Sequence, residues 1–311
     1  MIDPLTQVIA LLQPSASFSK LVTATSPFSV RPPKRGPFYA AVLEGDLELR
    51  LSGRLPLHLG KGDFVLLPAT DDLEVRSGTH PAVGMPDEPV EIRPGVFHLG
   101  AAGAEDTRMM IGYCAFRSDD ALLLVSLLPE LVVVRGGRRL TTLVELLNEE
   151  ARAERPGRDA VLARLLEVLL IEAFRSAGEL GAAPGLLRGL SDERLAVALR
   201  RMHGEPTRAW TLTALAREAA LSRTVFCDRF RQEVGVAPMT YLLRWRMVLA
   251  MDFLRRGLSV GEVAARIGYS AQSTFSTAFA RQVGLSPTAY ARGPKPVLSN
   301  GGTTDLQAAA P

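Results

Sequence analysis

The sequence predicts an α+β chain of two domains. A β-barrel followed by two helices comes first, then an all-α domain in which two helix-turn-helix units share a linker helix. Three observations predict this. Short apolar runs punctuated by turn residues fill positions 36 to 116. Helical periodicity takes over from Leu140. A repeat with an offset of 49 residues occupies Ala216 to Tyr290. The 311 residues are 47% hydrophobic and 22% charged, a balance that suits two globular domains.

The strand region contains YAAVLEG, LELRL, DFVLLP and MMIGYCAF. Turn signals separate these runs: Glu44-Gly45, Ser52-Gly53, Lys61-Gly62-Asp63 and Met85-Pro86-Asp87. Strands this short, spaced this evenly, point to a small sandwich or barrel. Residues 140–153 then place Leu140, Leu143, Val144 and Leu147 on one helical face, and Pro156-Gly157 ends that helix. A second helix, about 159–177, carries Val161, Leu162, Leu165, Leu166, Leu169, Leu170 and Phe174. That surface is wider than one stripe. It fits a helix buried in its own domain, or one that also packs on a second subunit, with Leu166 and Leu170 at the contact. A homodimer through 140–177 is the corresponding expectation.

The Gly- and Ala-rich stretch GELGAAPGLLRG reads as a linker, giving domain limits of 1–178, 179–190 and 191–293. Residues 294–311 have no periodicity and read as a disordered tail. No apolar run reaches the roughly 18 residues needed to span a bilayer. The first residues lack the basic start of a signal peptide. Two cysteines, Cys114 and Cys227, make no disulfide framework. A soluble cytoplasmic protein without membrane contact is the expectation. Cys114, in a strand-like run, reads as a buried small hydrophobe, with a thiol sensor as the alternative.

The repeat lays RFRQEVGVAPMTY over AFARQVGLSPTAY. Phe226 matches Phe275, Phe230 matches Phe279, Gly235 matches Gly284, Pro238 matches Pro287 and Tyr241 matches Tyr290. Upstream, Ala216-Arg217 falls on Ala265-Arg266. Local signals mark the helices. Ser259 and Glu262 form a capping box, Ser222 is an N-cap, and Gly235 and Gly284 are stops. Ser270 or Ala271 begins the helix that ends at Gly284. Two short helices joined by a tight turn form a helix-turn-helix, whose second helix enters the major groove of DNA. Between the copies, PMTYLLRWRMVLAMDFLRRG has an apolar surface broad enough to pack on both.

The outer face of each second helix is polar rather than highly charged. In the second copy it carries Gln272, Ser273, Ser276 and Thr277. Gln bonds adenine bidentately, Ser and Thr bond several base edges, and the Thr methyl can meet a thymine methyl. In the first copy it carries Arg223, Thr224, Cys227 and Asp228, with Arg231 one turn on. Arg223 suits guanine or a phosphate. Asp228 suits a cytosine amino group or an ion pair with Arg231. From Ser191 to Gly293 there are 15 Arg against 8 acidic residues, whereas the rest has 21 Lys and Arg against 25 acidic residues. A basic domain on a mildly acidic one points to a polyanion such as double-stranded DNA.

These motifs, over about 100 residues, resemble the AraC/XylS-type DNA-binding domain. The resemblance implies two helix-turn-helix units on one linker helix, and regulation of bacterial transcription with RNA polymerase as a candidate partner. It implies base-facing positions at Arg223, Thr224, Cys227 and Asp228, and at Gln272, Ser273, Ser276 and Thr277. Cys227 and Asp228 depart from the larger polar or basic residues common there. In the front part, Gly62-x5-Pro68 within GKGDFVLLPATDDLEV resembles the second cupin motif, which implies a cupin-like sensor domain. A small-molecule effector then suits an interior lined by Val, Leu and Phe, although that interior could equally be packed solid. The alternative is a metal-dependent cupin enzyme. Its ligands are sparse. The histidines expected from the family fall near Ala40 and at Leu73, leaving His58, His80 and His98 with Asp71 and Asp72. The expectation is therefore a regulator rather than an enzyme, with no cofactor and no metal.

Overall fold

The computed structural model describes residues 3–32, 36–68, 72–77, 88–116, 121–125, 127–153, 155–179 and 184–293. The tail expected at 294–311, the turn at 85–87, His80 and Asp71 lie outside them. The chain divides into two compact units, Met1–Val248 and Leu249–Pro311.

A helix opens the chain, ahead of every expected element. α1 (Pro4–Leu12) starts where the Asp3 carboxylate accepts from the amides of Leu5 and Thr6, and it buries Leu5, Val8, Ile9 and Leu12. Two strands follow that the sequence reading did not anticipate, β1 (Pro14–Ala24) and β2 (Ser29–Val30). Then come β3 (Phe38–Glu44), β4 (Asp46–Leu51), β5 (Leu57–Gly60), β6 (Phe64–Leu67) and β7 (Leu73–Arg76). The barrel is completed by β8 (Val90–Arg93), β9 (Val96–Leu99), β10 (Thr107–Phe116) and, after α2 (Ala121–Val125), β11 (Val132–Val134). Among the described residues these form a seven-stranded sheet, β11-β6-β3-β10-β1-β9-β8, and a four-stranded sheet, β2-β7-β4-β5.

The interior is a packed core. Phe28, Phe38, Val42, Leu47, Leu59, Val65, Met109 and Tyr113 all belong to one buried cluster. The opposite face of the larger sheet is buried too, through Tyr39, Ala41, Phe64, Leu66, Met110 and Cys114. It packs against α3 (Arg138–Arg152) and α4 (Arg158–Glu179). Burial on both faces explains why FYAAV and FVLL read as unbroken apolar runs. It also settles the wide surface of α4. Leu166, Leu169, Leu170, Ala173 and Phe174 are buried within the protomer. Leu166 and Leu170 are therefore not contact residues for a second subunit. The apolar side chains left outside are Leu146 on α3 and Val161 and Val168 on α4, each more than 40% exposed.

The stretch expected to be a linker carries α5 (Leu186–Ser191), with Leu186, Leu187 and Gly189 buried. The amide of Leu186 donates to the Leu127 carbonyl at 3.3 Å, and that of Gly185 to the Glu233 carbonyl at 2.9 Å. α6 (Glu193–Gly204), α7 (Leu212–Glu218), α8 (Arg223–Val234) and α9 (Pro238–Arg255) follow, then α10 (Val260–Arg266), α11 (Gln272–Val283) and α12 (Pro287–Arg292). On α9, Tyr241, Leu242, Trp245, Met247 and Val248 are buried in the first unit, and Ala250, Met251 and Leu254 in the second. Among the described residues no helix is long and apolar enough to cross a membrane.

Gly112 shows how tightly the larger sheet is filled. It lies opposite Tyr39 on β3, and a Cβ there would stand 2.1 Å from the tyrosine oxygen. Gly112→Ala should therefore lower stability by roughly 1–3 kcal/mol, the range for overpacking. Tyr39→Leu should recover part of that loss in the double variant. Urea unfolding reads both; strictly additive effects would show that the two residues do not compete for the same space.

Candidate nucleic-acid interface

In the first unit the Thr211 hydroxyl caps α7 at the Ala214 amide, 3.1 Å away. The chain leaves α7 through Ala220, whose φ of 51° is left-handed, with Leu221 N–H donating to Ala216 at 2.9 Å. The Ser222 hydroxyl then caps α8, and Gly235 stops it with φ at 83°. In the second unit Ser259 and Glu262 close a reciprocal capping box on α10. The Ser259 hydroxyl and amide hydrogen-bond the Glu262 carboxylate, holding it below its ordinary range. Gly268 is left-handed at 86°, and Tyr269 N–H donates to Ala264 at 2.9 Å. α11 begins after Ala271, which offers no side-chain cap, and stops at Gly284.

These hydrogen bonds correct the repeat. The second helices correspond with an offset of 49, Ser222 with Ala271 and Phe226 with Phe275. The first helices correspond with an offset of 48. Ala216 matches Ala264 and Ala220 matches Gly268, in backbone conformation and in bonding. Ala216 and Ala264 are both buried, whereas Ala265 is exposed. The match of Ala216-Arg217 with Ala265-Arg266 was therefore one residue out of register. The turn between α10 and α11 holds one residue more than the turn between α7 and α8.

Each second helix turns its aromatic side inward. Phe226 and Phe230 are buried under α8, and Phe275 and Phe279 under α11. The opposite faces carry the expected site residues. Arg223 and Gln272 hold the same first position after the N-cap. Arg223, Thr224, Asp228, Arg231, Gln272, Ser273 and Thr277 are exposed, while Cys227 and Ser276 are half-buried. The structure thus gathers each set on one face of one helix. Asp228 lies 4.0 Å from Arg231, an exposed pair of the kind that contributes about 0–1 kcal/mol. The Thr277 hydroxyl donates to the Ser273 carbonyl at 3.1 Å, so its oxygen keeps acceptor capacity.

Residues without a sequence signal hold the first unit in place. The Asp192 carboxylate caps α6 at the amides of Arg194 and Leu195 and also accepts from Arg229 on α8. Arg194 donates to the Ala220 carbonyl at 3.1 Å, fixing the left-handed turn. Arg188 of α5 pairs with Glu233 at the end of α8. Asp192 and Arg229 lie 37 residues apart in the chain, and Arg188 and Glu233 lie 45 apart, so no local pattern announces either pair.

Among the described residues, the positions where the family's histidines are expected carry no metal donor. Ala40 and Leu73 lie in the packed interior. His58 is exposed, 3.5 Å from the Glu48 carboxylate. The His98 ring meets the Thr23 hydroxyl and the Ala101 carbonyl. Among the described residues no group of three or more His, Cys, Asp or Glu could hold a metal ion. Cys114 is buried, and burial pushes its thiol up to about 12.

Residues 3–179 match the family model described as Cupin, and residues 215–293 the one described as Helix-turn-helix domain. A putative AraC-like transcription regulator of Streptomyces lividans is 32% identical over 302 residues, covering 94% of this chain and 99% of its own. The chain belongs to the AraC-like transcription regulators. A second such relative, from Streptomyces antibioticus, is 31% identical over 310 residues, covering 94% and 100% of the two chains. The HTH-type transcriptional regulator AlkR of Acinetobacter baylyi is 34% identical over 143 residues, covering 45% and 47%. The protein is thus a DNA-binding transcription regulator with a cupin front domain, and these relatives are named regulators rather than enzymes.

Within this AraC-like regulator the two turns should respond oppositely to exchange of their left-handed residues. Ala pays a steric penalty there that Gly avoids. Ala220→Gly should raise stability by up to about 1 kcal/mol, and Gly268→Ala should lower it by about 1 kcal/mol. Denaturant titration of the full chain checks the signs. A loss on Ala220→Gly would contradict the equivalence of the two positions.

Proposed function

We propose that the chain reads duplex DNA through the outward faces of α8 and α11. Arg223, Thr224 and Cys227 are the first set of contacts, and Gln272, Ser273, Ser276 and Thr277 the second. The observation that carries this reading is the matched presentation. Both helices bury a phenylalanine pair and expose short hydrogen-bonding side chains at equivalent positions, on the part of the chain richest in Arg. Asp228 acts chiefly as the local partner of Arg231, and Arg231 as a phosphate contact. The domain limits 1–178 and 191–293 divide sensing or assembly from DNA reading. The protein works in the cytoplasm, has no catalytic activity of its own, and acts on RNA polymerase from its DNA site.

Selection from randomised duplexes tests the faces. Gln272→Ala should relax the preference in one patch and Arg223→Ala in another, each losing roughly 1–3 kcal/mol of base discrimination. Binding should weaken with salt at a slope of about −0.9 per neutralised phosphate. If both variants keep every base preference and lose only affinity, these side chains are backbone clamps and the face assignment falls.

We also infer that the front domain controls the protein by self-association. Val161, Leu165 and Val168 lie at helical spacing on α4, with Val161 and Val168 exposed, and Leu146 is exposed on α3. A second copy would cover them. The packed barrel interior favours this route over an effector held among those core side chains. Val161→Glu with Val168→Glu changes only exposed positions, so the fold should survive. Sedimentation should then show dimeric wild type and a monomeric variant. A wild-type chain that stays monomeric at high concentration would refute it.

A further inference from the structure

His203 joins the first helix of the chain to α9, whose Tyr241 packs on the first reading helix. It is buried near the end of α6. Its Nδ1 lies 3.0 Å from Gln7 Oε1 on α1, 196 residues away in sequence. Its Nε2 lies 2.7 Å from the Tyr241 hydroxyl on α9. The Gln7 oxygen only accepts, so Nδ1 carries the proton and donates to it, and Nε2 accepts from the Tyr241 O–H. Burial holds the imidazole at about 3, far below its ordinary range, so the ring is neutral and has the single donor and single acceptor that this arrangement uses. The ring also stacks on Trp245, centroids 4.0 Å apart. Tyr241 in turn meets Phe230 of α8 edge to face at 5.8 Å.

No other side chain meets all three demands. Glutamine supplies donor and acceptor but no ring for Trp245. Phenylalanine stacks but leaves Gln7 and Tyr241 without their buried partner. A second seam runs in parallel, from the Leu127 carbonyl through α5 to the Glu233 carbonyl and Val234. A Cβ on Gly189 would stand 2.6 Å from the Val234 side chain. Two separate seams therefore attach α8 to the front part of the chain.

We propose that His203 and Gln7 are positioning residues for DNA reading: through Tyr241 and Phe230 they set the placement of α8 from α1, so that a rearrangement of the front domain reaches the first reader along this chain of contacts. This rests on the reading of α8 as a DNA-contacting helix, and it names the route by which that helix is regulated. Neither residue is on a DNA-facing surface.

The test uses the full chain with Gln7→Leu, which keeps volume and removes the acceptor, and Tyr241→Phe, which keeps the ring and removes the hydroxyl. Tyr241→Phe carries the test if Gln7→Leu does not fold. Hydrogen exchange is followed by mass spectrometry, and base preference by selection from randomised duplexes, with Arg223→Ala and Gln272→Ala alongside. Exchange across 223–241 should quicken severalfold, up to about tenfold for one lost hydrogen bond, while 260–292 keeps its wild-type rate. The patch relaxed by Arg223→Ala should relax in these variants as well, and the patch relaxed by Gln272→Ala should not. Unchanged exchange in α8 overturns the proposal. So does faster exchange with the Arg223-dependent preference intact. If Arg223→Ala itself alters no preference, the face assignment has failed, and the exchange rates alone decide whether α1 positions α8.

Discussion

Phe226 and Phe230 lie 5.6 Å apart under α8, and Phe230 meets Tyr241 edge to face at 5.8 Å. Phe275, Phe279 and Tyr290 repeat the arrangement under α11, with both spacings 5.5 Å. These ladders decide which way each second helix faces. Aromatic pairs at this separation add directional preference to the area they bury, so a helix that rotated about its axis would lose both. With the rings fixed inward, the residues at the opposite positions must face water. Gly235 and Gly284 then stop each helix, and Pro238 and Pro287 start the next, so that the tyrosine returns to the same ring stack. The exposed polar faces follow from the buried ones.

The front domain rests on a different constraint. Its larger sheet is covered on both faces around β3 and β10, by the barrel interior and by α3 and α4, while β8 at its edge stays exposed. Within it β3 and β6 are buried on both faces and show no polar alternation, whereas β1 keeps Ser19, Lys20 and Thr23, and Gly112 leaves the space that Tyr39 fills. The same arrangement leaves α4 with two kinds of apolar residue. Leu166 and Leu170 complete the domain, while Val161 and Val168 look outward. Width of an apolar surface alone could not separate them, because both lie on a helix whose hydrophobic stripe exceeds one face.

What was legible in the sequence followed the range of the interaction. Caps and stops are chemistry between residues three or four apart, and Ser222, Ser259, Gly235 and Gly284 all stand where their types suggested. The phenylalanine spacing likewise revealed which faces of α8 and α11 are polar. β1 was missed because Ser, Lys and Thr interrupt its apolar residues, and it is held by β10 and β9 from the far end of the domain. α5 was masked by glycine and alanine, although Gly189 is there because Val234 and Leu199 crowd it. The register slip between the first helices had a chance cause: an Ala-Arg pair recurs at the wrong offset, while the buried Ala264 matches no distinctive neighbour. His203 carried no local sign of its role, since its partners on α1 and α9 lie far from it along the chain.

The two reading units solve one turn with different residues, and the difference matches what surrounds each. Ala220 holds a left-handed backbone that costs an alanine roughly 1–2 kcal/mol. Such strain persists only where neighbouring contacts over-determine the chain. Arg194 bonds the Ala220 carbonyl, Asp192 holds Arg229, and α5 is fastened to the end of α8. The second unit, from Leu249 onward, meets the same turn with Gly268 and starts α10 with a full reciprocal capping box. There, local chemistry supplies what tertiary contacts supply in the first. A unit stabilised by its own short-range signals tolerates changes elsewhere in the chain. A unit held by α1, α5 and α6 has its geometry set by the domain those helices pack against.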